Sequence, residues 1–139
     1  MKKLILLPFL LSLLAACSPK PTSVALRYLK AVQSGNTAEQ DKIMCVSGAG
    51  TSKSLIQSAP SWTIVGEESR TTDSFHYQVV TVKIEDHTFA VKVWKSDDIY
   101  KQHKDSTDNL RRQKIPYEDP AYNRSQWSSE ESCVDVGEK

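Results

Sequence analysis

Residues 75–96, FHYQVVTVKIEDHTFAVKVWKS, decide the fold that we predict for this chain. Apolar and polar residues alternate on both sides of Asp86-His87, and alternation with a period of two is typical of a half-buried β-strand. Asp86 and His87 tolerate a positive φ better than most residues, so we expect a two-residue turn there between strands over 75–84 and 88–96. This register puts six apolar side chains on one face, in the pairs Ile84–Phe89, Val82–Val91 and Val80–Val93. The other face then carries Thr81, Lys83 and Lys92.

The first helix is predicted upstream of this hairpin, over VALRYLKAVQS at 24–34. Its apolar residues recur with the spacing of an amphipathic helix that buries one face. They are Val24, Tyr28, Ala31 and Val32. Ser23 or Thr22 is expected to cap the helix start, and Gly35 stands where helices end in the left-handed conformation.

The remaining elements before the hairpin are shorter. Thr37 and Gln40 match a capping box, which predicts a helix start at this point. The predicted elements are a helix over 38–45, a short helix over 54–58 and a strand over 62–68. We therefore expect an α+β domain over 23–96, with N-terminal helices packed on a twisted antiparallel sheet of three or four strands.

The character of the sequence changes at Asp97. Residues 97–114 are dense in charge, and only a thin helical stripe runs through Ile99, His103 and Leu110. Residues 115–132 carry two prolines and scattered aromatic residues. We expect 97–139 to be a charged segment, with a loosely packed helix at most, followed by an irregular arm that Cys133 ties back by a disulfide.

The first 16 residues have the layout of a secretory signal. A basic start, Met1-Lys2-Lys3, precedes an apolar stretch over 4–14 and two small residues, Ala15-Ala16. A membrane-spanning helix needs about 20 apolar residues, so this stretch predicts a cleaved signal peptide rather than an anchor. Residues 17–22 then form a short tether.

Leu14-Ala15-Ala16-Cys17 resembles the lipobox of bacterial lipoproteins. The resemblance implies cleavage before Cys17, a diacylglycerol on its thiol and a further acyl chain on its amine, which together hold a protein stably on a membrane. These covalent lipids are the only cofactor that we expect. Ser18 implies the outer membrane if the host is Gram-negative. An ordinary secretory signal beside a chance cysteine is the alternative.

The charge of the mature chain is close to zero. Removing residues 1–16 from the 139 leaves 123, with 16 Lys and Arg against 17 Asp and Glu, because Lys2 and Lys3 leave with the signal. Nucleic-acid binding needs a basic surface, so nucleic acid is not an expected partner. The expected partners are the membrane, through the lipid, and an envelope protein.

Cys45 and Cys133 remain once Cys17 carries lipid. In an oxidising envelope such a pair normally forms a disulfide, which here would close a long loop and contribute roughly 4–5 kcal/mol. Two buried thiols or a metal pair are the alternatives. We do not expect a metal, because the three histidines lack ligand spacing to either cysteine. They are His76, His87 and His103.

No catalytic motif stands out in the sequence. Asp86 and His87 are adjacent, and neighbouring turn or strand residues point apart, so hairpin residues are favoured over a catalytic dyad. Four aromatic residues could line a pocket or pack in the core, and the core is favoured. They are Tyr28, Trp62, Tyr77 and Trp94.

Two phrases carry a resemblance to a known superfold. PTSVALRYLKAVQSGNTAEQ at 21–40 and SWTIVGEESR at 61–70, followed by the hairpin, are similar to small bacterial lipoproteins of the cystatin-like and nuclear-transport-factor-two-like α+β superfold. The resemblance implies fold more than function, because that superfold hosts both enzymes and binding proteins. We expect a non-enzymatic binding or structural-interaction module. The alternative is a small-ligand carrier or an enzyme that uses a pocket between helix and sheet.

Overall fold

The computed structural model describes residues 19–46, 53–59, 61–72, 75–113 and 124–136. The predicted signal peptide, Cys17 and Ser18 lie outside these ranges. Within the described residues the chain forms helices α1 (Pro21–Gln33), α2 (Thr37–Ile43), α3 (Lys53–Ser58) and α4 (Ser96–Arg112). The strands are β1 (Thr63–Thr72), β2 (Phe75–Ile84), β3 (His87–Lys95) and β4 (Ser132–Asp135), and a short 3₁₀ helix covers Arg124–Gln126. The predicted α+β class, with helices packed on an antiparallel sheet, is confirmed.

Helix α1 begins two residues inside the predicted tether. Lys20 precedes it with extended backbone, and Pro21 occupies the first turn, where its fixed φ suits a helix and no amide hydrogen is needed. The predicted cap by Ser23 or Thr22 is therefore wrong. Thr22 instead donates its hydroxyl to the Glu67 carboxylate on β1.

The end of α1 follows the prediction. Gly35 has a φ of 68°, and its N–H bonds the carbonyl of Val32 at 3.1 Å. The N–H of Asn36 reaches back to the carbonyl of Ala31 at 2.9 Å. These two bonds form a Schellman end, which satisfies carbonyls that the helix leaves open.

Asn36, and not Thr37, caps α2. The Asn36 side chain accepts a hydrogen bond from the backbone N–H of Glu39 at 3.1 Å. Gln40 does not close the predicted capping box, because it is 1 % exposed and donates to the carbonyl of Ala31 at 3.1 Å. The capping-box prediction placed the start of the helix within one residue but named the wrong cap.

The four strands form one antiparallel sheet in the order β1-β2-β3-β4. The hairpin turn lies at Glu85-Asp86, where Glu85 has a φ of 51°, and Ile84 pairs with His87. The predicted turn at Asp86-His87 is thus wrong by one residue, and the register is wrong by two. A shift of two keeps every side chain on its face, so the burial pattern could not separate the two registers.

One face of the sheet packs against α1 and carries the main core. The six hairpin side chains predicted for this inner face all contact that core, although Phe89 is only half-buried. Its fully buried members include Tyr28, Leu29, Val80, Val82, Val91 and Val134. Burial raises the pKa of the Tyr28 hydroxyl, which has no hydrogen-bond partner among the described residues.

The opposite, outer face is covered as well. Helix α4 packs across β2 and β3, and Tyr77 stacks on Trp94 beneath it with ring centroids 4.3 Å apart. Val79 and Ala90 on this face are also buried. Within the segment predicted over 97–139, residues up to Arg112 therefore belong to a packed helix, and Ser132–Asp135 form a fourth strand of the sheet. None of the helices in the described residues has the length and apolar character that crossing a membrane requires.

The two faces of β2 give a direct test of the inner core. Ile84→Ala should lower the free energy of unfolding by about 2–5 kcal/mol, because Ile84 is 2 % exposed and its truncation leaves a cavity. Lys83→Ala, at the exposed neighbouring position, should change it by no more than about 0.5 kcal/mol. Chemical denaturation of both variants measures the difference. Equal losses would contradict this assignment of the faces.

Candidate functional site

The predicted cysteine pair belongs to the apolar cluster on the outer face of the sheet, together with Trp94 and Trp127. The sulfur atoms of Cys45 and Cys133 are 2.08 Å apart, a disulfide distance, and 88 residues separate the two positions. Cys45 is 3 % exposed and Cys133 is fully buried. The link joins the residues after α2 to β4.

The hairpin separates His76, near its open end, from Asp86 and His87 at its turn. Asp86 is in the hairpin turn and His87 opens β3, and both are exposed. His76 is also exposed, and its Nδ1 lies 2.9 Å from the hydroxyl of Thr71. The structure does not bring these residues into one site.

The four aromatic candidates do not form one pocket either. Tyr28 is buried in the inner core, and Trp62 packs half-buried against that same core. Tyr77 and Trp94 belong to the cluster on the outer face. The sheet separates the two pairs, so both serve packing, which the sequence had favoured.

A different concavity lies between α4 and β4, with a volume of about 500 Å³. We call it the α4–β4 cleft. Its apolar lining is Met44, Cys45, Val46, Ile99, Trp127, Val134 and Val136, and its polar lining is Gln102, His103, Ser106 and Asp135. Pockets that bind small ligands typically have volumes of about 300–1,000 Å³, apolar walls and a few polar groups, and the cleft has all three properties.

Trp127 connects α4 to the rest of the cleft. Tyr100 meets its ring edge-on with centroids 5.5 Å apart, and His103 lies tilted at 5.2 Å. Ile99 and His103 are four residues apart, so they project from the same side of the helix. We call Tyr100, His103 and Trp127 the aromatic wall. His103 and Trp127 line the cleft, and Trp127 is only 7 % exposed.

Arg124 fixes the aromatic wall from the solvent side. Its guanidinium carbon lies 4.9 Å from the Tyr100 ring centre, a cation–π geometry. The same side chain donates to Asp97 at 2.8 Å and to the carbonyl of Ser128 at 3.1 Å. Arg124 thereby joins the start of α4 to the segment that carries Trp127.

Backbone hydrogen bonds build the wall opposite α4. The N–H of Cys45 donates to the carbonyl of Val134 at 2.9 Å, and the N–H of Ser128 donates to the carbonyl of Cys45 at 3.1 Å. The Ser128 hydroxyl also donates to the carbonyl of Lys42 at 2.6 Å. Residues 44–46 thus run along the edge of β4, and the disulfide closes this wall covalently.

The residues that line the cleft favour an apolar or aromatic ligand with a few polar atoms. Aromatic walls accept planar groups by stacking or edge contact. Gln102, Ser106 and Asp135 supply donors and acceptors at the rim. Among the described residues, no group of three or more His, Cys, Asp or Glu side chains could hold a metal ion.

The sequence contained part of the signal for this cleft. The sequence predicts a helical stripe through Ile99 and His103, but only in a loosely packed helix. It predicts an irregular arm around Trp127, because nothing local indicates that a tryptophan 24 residues after His103 returns to contact it. The contacts that assemble the cleft are long-range, and only the structure supplies them.

Removing the central ring tests the aromatic wall. Trp127→Ala should lower the free energy of unfolding by about 3–5 kcal/mol, the usual cost of emptying a buried aromatic site. Hydrogen exchange should accelerate in α4, which loses its contacts from Tyr100 and His103. Trp127→Phe should retain most of the stability. Unchanged exchange in α4 of the alanine variant would show that Trp127 does not hold the helix.

Comparisons with known proteins give no relative. No protein family matches the chain, and no curated protein or solved structure is detectably similar to it.

Proposed function

We propose that the chain is a lipid-anchored bacterial envelope protein whose domain is a non-enzymatic binding module, with the α4–β4 cleft as its binding site. The cleft binds an apolar or aromatic group, such as a side chain of a partner protein in the envelope. The cleft is the observation that carries the binding function, since it combines suitable volume, an aromatic wall and a polar rim.

The anchor rests on Leu14-Ala15-Ala16-Cys17 and on the signal-like residues before it. Two or more acyl chains on Cys17 would hold the domain stably at a membrane. Ser18 supports an outer-membrane location in a Gram-negative host.

The choice of the cleft over a pocket between α1 and the sheet rests on packing. Tyr28, Leu29 and Val32 of α1 are fully buried against the inner face of the sheet. Close-packed apolar side chains of this kind serve stability. The cleft lies beyond the edge of that core, where Gln102 and His103 are half-buried and Ser106 is exposed.

Replacing the predicted lipid attachment site tests the anchor. Cys17→Ser should abolish incorporation of labelled palmitate and leave the precursor uncleaved, because no thiol is available for diacylglycerol. Palmitate labelling, the mass of the product and membrane fractionation measure the effect. Normal acylation and fractionation of the variant would refute the anchor.

A fluorinated side-chain mimic tests the cleft. N-acetyl-5-fluorotryptophanamide is titrated against the purified full chain in lipid nanodiscs, and the ¹⁹F linewidth reports binding. Ser106→Phe places a ring at the mouth of the cleft and should weaken binding at least about tenfold, or roughly 1.4 kcal/mol.

Lys104→Phe is the matched control, because Lys104 is exposed on the same helix but does not line the cleft. It should bind the probe like the unmodified chain, and empty nanodiscs give the background from lipid. Binding that Ser106→Phe leaves intact, or no binding to the unmodified chain, would remove the cleft as the site.

A further inference from the structure

Within the part of the chain that the structure describes, strand β1 forms an open edge of the sheet. It pairs with β2 on one side and stands at the end of the strand order. All side chains from Glu67 to Thr71 are exposed. An edge strand exposes a row of unpaired backbone donors and acceptors that can pair with a strand of another chain. Natural proteins usually limit such pairing.

A β-bulge sets the usable length of this edge. The register of β1 against β2 shifts between Ile64 and Gly66, which leaves Val65 without a partner position. Regular pairing then runs from Gly66 to Thr72. Since a bulge bends its strand, a new strand can follow only this straight run, whose midpoint is Ser69.

Two copies of the straight run fit each other around a twofold axis. Identical strands that pair side by side in antiparallel fashion are related by an axis perpendicular to the sheet, as in isologous dimers. Residues directly opposite each other then lie on the same face. If all seven residues from Gly66 to Thr72 pair with the same residues of the second copy, the axis passes through Ser69, and Gly66 lies opposite Thr72 of the second copy.

The charges on the edge favour this same register. Glu68 and Arg70 both lie on the outer face, opposite Val79 and Tyr77 of β2, and they form an ion pair with each other. Centred on Ser69, Glu68 of one copy faces Arg70 of the other, twice. Centring on Glu68 or on Arg70 would instead place like charges directly opposite, which is destabilising.

The position of α1 is compatible with two copies on one membrane. Thr22 bonds Glu67 on the inner face, two residues from the axis. Pro21 and Gln78, the partner of Ser69, line the same small concavity. A perpendicular axis keeps the inner faces of both copies on the same side. Cys17 precedes Pro21 by four residues, which span at most about 14 Å, so both lipids would emerge near the axis on that side.

We propose that two copies of this chain pair through Gly66–Thr72 of β1, antiparallel and centred on Ser69, to form a continuous eight-stranded sheet. The partner is a second copy, because the run is complementary to itself in length and in charge. The role of the membrane rests on the proposed lipid anchor: copies held in one bilayer meet at a raised effective concentration, which favours a short interface.

Cysteine cross-linking in cells that express the full chain tests the register. Cα atoms directly opposite in antiparallel strands are about 4.5–5.5 Å apart, so Ser69→Cys should give a disulfide-linked dimer with copper phenanthroline. Thr71→Cys is the matched control on the same face. The two Thr71 positions would be about 14 Å apart along the strands, beyond disulfide reach. Cys45 and Cys133 are buried and paired with each other, and the unsubstituted chain reports any cross-link that forms through Cys17.

Charge reversal then tests the complementarity. In the Ser69→Cys background, Glu68→Arg or Arg70→Glu should lower the dimer yield about tenfold, because each creates two like-charge pairs. Glu68→Arg combined with Arg70→Glu should restore the yield. Absence of a Ser69→Cys dimer, an equal yield from Thr71→Cys, or failure of the double variant to recover would overturn the proposal.

Membrane fractionation and palmitate labelling of the same samples show separately whether the chain carries the proposed lipid anchor. If the chain is found outside the membrane fraction, the proposed anchor fails, and the cross-link is judged on the soluble fraction by the same criteria. The two proposals can therefore fail independently.

Discussion

The hydrogen bond from the N–H of Cys45 to the carbonyl of Val134 joins the residues after α2 to β4, a four-residue strand that contributes side chains to both faces of the sheet. Val134 turns its side chain into the inner core, and the neighbouring Cys133 turns towards the outer one. The same strand pairs with β3 through Val93 and Trp94, which also face opposite sides. Because of this position, β4 connects α1, the sheet, the residues after α2 and the α4–β4 cleft.

The features that could be predicted from the sequence are those that follow from apolar residues recurring every two positions in strands or about every 3.6 positions in helices. The hairpin faces and the stripe of α1 follow from local alternation and from burial, and both are present in the structure. The turn was misplaced because Glu85 adopts a positive φ that its residue type seldom shows. The start of α1 was misplaced because Pro21 begins a helix without a capping side chain.

The outer layer and the candidate site could not be predicted in the same way. Helix α4 has a thin apolar stripe, since Tyr100 and His103 contact one tryptophan rather than a broad core. Strand β4 is too short for alternation to reveal it, and its pairing depends on residues far away in the sequence. The cysteines were the exception, because compartment chemistry suggested their pairing without any knowledge of the fold between them.

The separation of 88 residues between the paired cysteines also has a consequence in time. At synthesis rates of about 5–20 residues per second, Cys45 is made roughly 4–18 s before Cys133. The only cysteine before Cys45 in the sequence is Cys17, 28 positions upstream. A thiol already converted to a thioether cannot enter disulfide exchange. Lipid attachment at Cys17 before oxidation would therefore leave Cys45 a single intramolecular partner and make the order of the two modifications part of correct folding.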